Sequence, residues 1–224
     1  MRKHLDLHYP DTQLLMMAKV PRAGYVKTRM QPQLTPDQSM QLHTALVQQC
    51  LQQWYDAQLC ELTVWVGGDP ACFQQHFPCW QFLPHHTQPK GDLGQRMLFA
   101  IQQTLMASSV NKAIIVGADC PFIDAAYLEQ AITALDHHDV VIGPAADGGY
   151  VLLAMKTPHV ALFKHIEWGS ANVFAKTEAQ LIAEELSFQV LPTLHDIDYV
   201  DDLSLLDKPH FSSVLKSFSQ SNMY

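Results

Sequence analysis

The stretch Lys19-Val20-Pro21-Arg22-Ala23-Gly24-Tyr25-Val26-Lys27-Thr28-Arg29 holds four of the chain's 14 basic side chains. Arginine and lysine on such a segment suit the oxygens of a di- or triphosphate. Gly24 at its centre lets the backbone approach a ligand closely. The segment matches neither G-x-x-x-x-G-K-[ST] nor G-x-G-x-x-G. On spacing alone, a phosphate loop and a solvated basic loop fit it equally well.

Acidic residues recur at the ends of apolar runs. Asp119 in Gly117-Ala118-Asp119-Cys120-Pro121 directly follows Ala113–Val116. A carboxylate there could hold a divalent cation against phosphates. Capping of the next helix is the other use for it, but Asp124 is better placed for that. Asp147 lies in Gly143-Pro144-Ala145-Ala146-Asp147-Gly148-Gly149-Tyr150, where Asp-Gly-Gly is first a hairpin signal and then a candidate ligand or base. Asp196 and Asp198 are two apart on extended chain and point the same way, so they could share a hard cation or form a solvated acidic turn. Asp92 with Gln95 makes a helix capping box, which is compatible with a binding role.

These residues need a scaffold, and the chain has the material for one. Of 224 residues, 48% are hydrophobic and 16% charged, enough apolar surface for a sizeable core. The net charge of -8 argues against binding a nucleic-acid polymer, which would need a basic face. The longest apolar runs fall far short of a membrane span, and Met1–Asp11 carries no secretory pattern. Five cysteines without a C-x-x-C pair predict reduced thiols in a cytoplasm. Adjacent histidines, His85-His86 and His137-His138, rarely aim at one metal, so a histidine metal site is not expected.

Apolar runs and helical periodicity alternate. Strands are expected at Leu14–Ala18, Leu62–Val66, Ala113–Val116, Val140–Ile142, Val151–Met155 and Phe188–Leu191, with a short one at Trp80–Leu83 inside the irregular stretch Phe77–Lys90. Thr35-Pro36-Asp37-Gln38 starts a helix, with Thr35 as cap, Pro36 at the first position and Gln38 closing the box. Further helices are expected from Asp92 to about Ser108, over Ala125–Leu135 and over Asn172–Leu186, with a last turn or two at Asp201–Leu206. This pattern predicts α/β architecture with a mostly parallel sheet covered on both faces. No linker divides the chain, so one domain over residues 1–224 is expected, with the motifs in 13–206. The Ser-rich tail 207–224 is expected to be loose or to cover an edge. In such sheets ligands bind beyond the carboxyl ends of the strands, where the basic and acidic segments fall.

Taken in order, six segments resemble the bacterial DUF2064 group, often called radical-SAM- or selenodomain-associated glycosyltransferases, within the GT-A superfamily. They are A-K-x-P-x-x-G-x-V-K-T-R at Ala18–Arg29, G-D-L-G-x-R-M at Gly91–Met97, G-x-D-C-P at Gly117–Pro121, G-P-A-x-D-G-G-Y at Gly143–Tyr150, a Trp before a helix start at Trp168–Asn172, and D-I-D at Asp196–Asp198. The resemblance implies a GT-A-like three-layer α/β/α sandwich that binds a nucleotide or nucleotide sugar. It implies Lys19, Arg22, Gly24, Lys27, Arg29, Asp92 and Gly94 at the nucleotide, and Asp119 with Asp196 or Asp198 on Mg²⁺ or Mn²⁺. Asp147, taking the acceptor's proton, and Lys27 are the expected catalytic side chains. The D-x-D pair of many glycosyltransferases is reduced here to Asp119, because position 121 is Pro.

Glycosyl transfer from a nucleotide-diphosphate sugar is the first expectation. Nucleotidyl transfer to a small phosphorylated or carboxylate acceptor is the alternative, and a non-catalytic nucleotide-binding module a third. Acceptor contacts are expected from Phe77–Lys90 and Thr157–Ser170.

Overall fold

A computed structural model describes residues 6–31, 33–206 and 209–221. The chain runs β1 (Thr12–Lys19), α1 (Pro36–Ala57), β2 (Glu61–Gly67), α2 (Pro70–His76), β3 (His85–Thr87), α3 (Leu93–Leu105), β4 (Lys112–Gly117), α4 (Ala125–Ala134), β5 (Val140–Pro144), β6 (Tyr150–Met155), α5 (Val173–Ala183), β7 (Phe188–Val190) and α6 (Ser212–Ser221). The strands form one seven-stranded sheet in the order β3-β2-β1-β4-β6-β5-β7. Only β6 is antiparallel to its neighbours, β4 and β5. The Gly148-Gly149 turn sends the chain back from β5 into that slot.

Strands β1, β4 and β5 are apolar on both faces because both faces are covered. On one side, Leu14, Met16, Val64, Ile114 and Val116 pack under α1, α2 and α4 through Val47, Leu51, Trp54, Phe73 and Leu128. On the other, Leu15, Trp65, Ile115, Ile142 and Leu153 pack against Met97 and Ile101 of α3 and Leu181 of α5. This is the three-layer α/β/α arrangement.

Helix starts follow local chemistry. Both Thr35 and Asp92 make reciprocal capping boxes, with Gln38 and Gln95 respectively. Asp124 accepts from the Tyr127 N–H at 2.8 Å.

One expectation needs correction. Trp80–Leu83 is not a strand. A 3₁₀ turn covers Pro78–Trp80, and the edge strand comes later, at His85–Thr87. Trp80 and Leu83 are both buried while Gln81 and Phe82 are exposed. That is the three-residue spacing of a tight helical turn, where side chains i and i+3 eclipse. The Ser-rich tail is described over residues 209–221. Its described part forms α6, and Phe211 and Phe218 join Met30, Leu34, Leu42, Leu46 and Ile197 in a third apolar cluster beside α1. Residues 207, 208 and 222–224 lie outside the described residues. Among the described residues, no helix is long and apolar enough to cross a membrane.

Candidate active site

Strand order changes direction between β1 and β4: the chain goes from β1 outward to β2 and β3, then returns to β4 on β1's other side. A crevice opens beyond the carboxyl ends at such a point. A cavity of about 500 Å³ lies there, lined by the loop after β1, the end of β4, the Asp147 turn, the first turn of α3, Trp168–Ser170 and the D-I-D segment.

The D-I-D segment is threaded into place by backbone bonds. Leu194 N–H donates to Pro144 O at 3.0 Å, Ala146 N–H to Leu194 O at 2.9 Å, and Ile197 N–H to Asp119 O at 3.0 Å. Ile197 is fully buried in the third apolar cluster, and Asp196 and Asp198 on either side of it line the cavity. Alternation along extended chain thus gives one anchor and two carboxylates on the opposite side. Asp202 accepts from the Asp198 and Tyr199 N–H groups and fixes the turn that follows.

Four carboxylates (Asp119, Asp147, Asp196, Asp198) and four basic side chains (Lys19, Lys27, Arg29, Arg96) line the cavity, but they are not evenly matched. Lys27 Nζ lies 2.8 Å from Asp119 Oδ1 and 2.9 Å from Asp198 Oδ1. Its side chain is 3% exposed, that of Asp119 42%. Asp119 Oδ1 itself is buried, so the opening to the cavity falls on the rest of the carboxylate side chain. Arg29 Nη1 holds Asp198 Oδ2 at 2.9 Å.

Burial opposes the charge on Lys27, but the attraction of Asp119 and Asp198 outweighs it and holds its pKa above the usual lysine value. Burial likewise opposes ionisation of Asp119, and the Lys27 ammonium outweighs it, so that carboxyl sits below its ordinary range. His43 is buried, donates from Nε2 to the Lys19 carbonyl at 3.0 Å, and is kept neutral mainly by burial.

The other two carboxylates have no such partner. Asp147, Asp196 and Asp198 each offer an oxygen, and these lie within 4.8 Å of one another. Neither Asp147 nor Asp196 makes an ion pair with a basic side chain among the described residues. Burial, then repulsion from Asp147 and Asp198, pushes the Asp196 carboxyl up to about 6. Three hard oxygen donors, two of them without a basic partner among the described residues, suit Mg²⁺ or Mn²⁺. Asp119 is absent from this group, because Lys27 stands between it and Asp198.

The loop after β1 divides. Lys19, Lys27 and Arg29 line the cavity. Arg22 and Gly24 do not: Arg22 is exposed and stacks on Tyr25 at 4.0 Å, and Gly24 takes a turn with φ 80°. Asp92 is occupied as the cap of α3. Gly94 is where Trp168 packs, and a Cβ there would collide with the indole ring.

The sequence reading did not single out Arg96 or Trp168 as site residues, although both sit inside quoted motifs. Arg96 Nε donates to Gly91 O at 2.9 Å, which turns the guanidinium along the cavity wall. Trp168 stacks on Phe163 and meets the Tyr150 ring edge-on. The signal available was Gly94: a glycine just inside a helix start marks a close approach. Gln88 of the irregular stretch also lines the cavity, its amide donating to Ala18 O and Trp65 O.

Known proteins share the fold. A structure of a candidate nucleotide-diphospho-sugar transferase from Desulfovibrio desulfuricans G20 superposes with a TM-score of 0.84 at 27% identity, covering 94% of this chain and 96% of that one. The Rv0371c protein of Mycobacterium tuberculosis H37Rv, in complex with manganese, is more distant in sequence, at 13% identity and a TM-score of 0.56 over 87% of this chain and 96% of that one, and shares the fold. A curated 2-phospho-L-lactate guanylyltransferase of Methanocaldococcus vulcanius is 25% identical over 122 residues, 53% of this chain and 55% of that protein, so the match spans about half of the relative's length. The fold is that of nucleotide-diphospho-sugar transferases and nucleotidyltransferases, the GT-A-like architecture. The model of the family described as "Uncharacterized protein conserved in bacteria (DUF2064)" matches residues 38–170, more than half of the chain, and the chain belongs to that family.

Proposed function

We propose that the chain is a nucleotidyltransferase that takes a nucleoside triphosphate with a divalent cation and transfers the nucleoside monophosphate to a small anionic acceptor. The observation that carries this is the pair Asp147 and Asp196, carboxylates that make no ion pair among the described residues and that line one cavity with Lys19 and Arg96. The eight charged groups cancel formally, so an incoming triphosphate brings negative charge that the protein alone does not balance. A divalent cation on Asp147, Asp196 and Asp198 would supply that balance and stabilise charge on the departing pyrophosphate.

Lys19, which makes no ion pair among the described residues, is free to meet phosphate oxygens. Arg96, anchored through Nε, offers its remaining donors to an anion. Lys27 orients Asp119 and Asp198. Neutral His43 buttresses the loop through the Lys19 carbonyl. The aromatic wall of Trp168 and Tyr150 excludes water from one side of the cavity.

The sequence put glycosyl transfer first. The guanylyltransferase relative supports the alternative reading better, while the likeness to the Desulfovibrio protein keeps sugar transfer as the second reading. The two differ in product. With Mg²⁺ or Mn²⁺, a nucleoside triphosphate and a panel of phosphorylated and carboxylate acceptors, pyrophosphate release is expected. Release of a free nucleoside diphosphate from a nucleotide sugar would overturn the nucleotidyl reading. A thermal-shift panel of nucleoside di- and triphosphates, with and without cation, selects the base first. Ligand at about 100 times its dissociation constant stabilises by about 2.7 kcal/mol.

A further inference from the structure

Both oxygens of Asp198 already face cations, Lys27 at Oδ1 and Arg29 at Oδ2, each at 2.9 Å. The same Lys27 ammonium lies 2.8 Å from Asp119 Oδ1. It bridges the end of β4 to the D-I-D segment. The fold puts it there deliberately. Lys27 has φ 48°, a left-handed conformation uncommon for a residue with a side chain. Val26 before it and Met30 after it are buried anchors, and Met30 N–H donates to Lys27 O at 3.1 Å.

We propose that Lys27 is an internal counter-ion that competes with the divalent cation, so that a cation arriving on Asp147 and Asp196 engages Asp198 only by displacing the Lys27 ammonium. This rests on reading the cavity as a cation and nucleotide site. Its physical basis is that an ammonium held 2.9 Å from a carboxylate oxygen repels a divalent ion brought onto the same carboxylate, so the two compete for it. The displaced ammonium then carries a positive charge into the cavity, where an anionic ligand is the next partner within reach. Cation and nucleotide therefore favour one another's binding, reciprocally. A lone surface lysine would give no such coupling.

The test is Mn²⁺ binding to the nucleotide-free full chain, read by the loss of the free-ion electron paramagnetic resonance signal. Lys27→Gln is expected to bind Mn²⁺ about tenfold more tightly, or more, than the wild type, because a positive charge a few ångströms away is gone. Lys27→Arg keeps the charge and is expected to stay close to the wild type. Lys27→Gln binding Mn²⁺ no better than the wild type, in a variant that melts cooperatively, overturns the proposal. If Lys27→Gln does not fold, the wild type decides alone. Reductive methylation followed by peptide mass spectrometry should show Lys27 shielded without cation and labelled several-fold more with saturating Mg²⁺, with Lys19 as internal reference. Unchanged labelling of Lys27 overturns the proposal. These readouts use no nucleotide. A wild type that neither binds a nucleoside triphosphate nor releases pyrophosphate would defeat the transferase reading separately.

Discussion

The two halves of the acidic wall solve the same electrostatic problem in opposite ways. Around Asp119 and Asp198, each paired carboxylate oxygen meets a lysine or arginine supplied by the loop after β1. Among the described residues no basic side chain makes an ion pair with Asp147 or Asp196, and the Asp196 carboxyl rises to about 6. The first half is finished by the fold itself. The second is left incomplete, and incompleteness that costs stability is expected where a ligand completes the structure.

That contrast can be broken at several points. The largest effect is expected from Asp196→Asn, which removes charge from the incomplete half. Transfer activity should fall on the order of a hundredfold or more, and the cation-dependent thermal shift with nucleotide should vanish while the cation-free protein melts no lower than the wild type. A normal cation-dependent shift in that variant would remove Asp196 from the site.

Asp119→Ala attacks the finished half and should behave differently. It strands part of the buried Lys27 charge, so the cation-free chain itself is destabilised. Breaking a fully buried pair costs roughly 3–5 kcal/mol. Asp119 is half open to the cavity and Lys27 keeps Asp198, so about 2 kcal/mol is expected, a melting-temperature drop of about 4–8 °C. Calorimetry checks this, and an unchanged melt would mean that the pair contributes nothing.

A smaller, graded effect comes from pH. Asp196 titrates higher in the folded chain than in the unfolded one, so folding takes up a proton between about pH 4 and 6. That contribution is present below pH 4 and is lost as pH rises to 6. A saturating cation selects the ionised carboxylate and reverses the trend. Cation affinity should therefore fall about tenfold per pH unit below 6. Melting curves across this window, with and without Mg²⁺, should converge at low pH, and parallel curves would contradict the assignment.

The smallest effect is expected from Arg22→Ala. Arg22 stacks on Tyr25 outside the cavity, so nucleotide affinity should change by less than about twofold, within the range of ordinary surface substitutions. A large loss would show that the loop rearranges when a nucleotide binds.

Most of the scaffold was legible because its signals are local. Thr35 with Gln38 and Asp92 with Gln95 spell their caps within four residues. The apolar runs of β1, β4 and β5 announce strands buried on both faces. The segment Phe77–Leu83 defeated the same logic, because a three-residue burial rhythm beside Pro78 looks, over so short a span, like an apolar strand.

The site was legible as a set of segments and not as a set of partners. Nothing in the spacing of Asp147 and Asp196 shows that the backbone pairing of Ala145 with Leu194 brings them together. Nothing in a run of basic residues shows that Lys27 turns inward on a left-handed backbone while Arg22 turns out. Those choices depend on contacts between residues far apart in sequence, which local patterns do not encode.

The bond between Lys27 and Asp198 joins residues 171 positions apart. The loop after β1 therefore emerges from the ribosome long before the carboxylate that completes its arrangement. Until the 194–206 segment arrives and seats Ile197 beside Met30 and Leu34, Lys27 has Asp119 at most. Closing so long a loop is slow and comes late. The newborn chain can therefore assemble β1 to β6 before the proposed cation and nucleotide site is complete, and that site closes only when the 194–206 segment has docked.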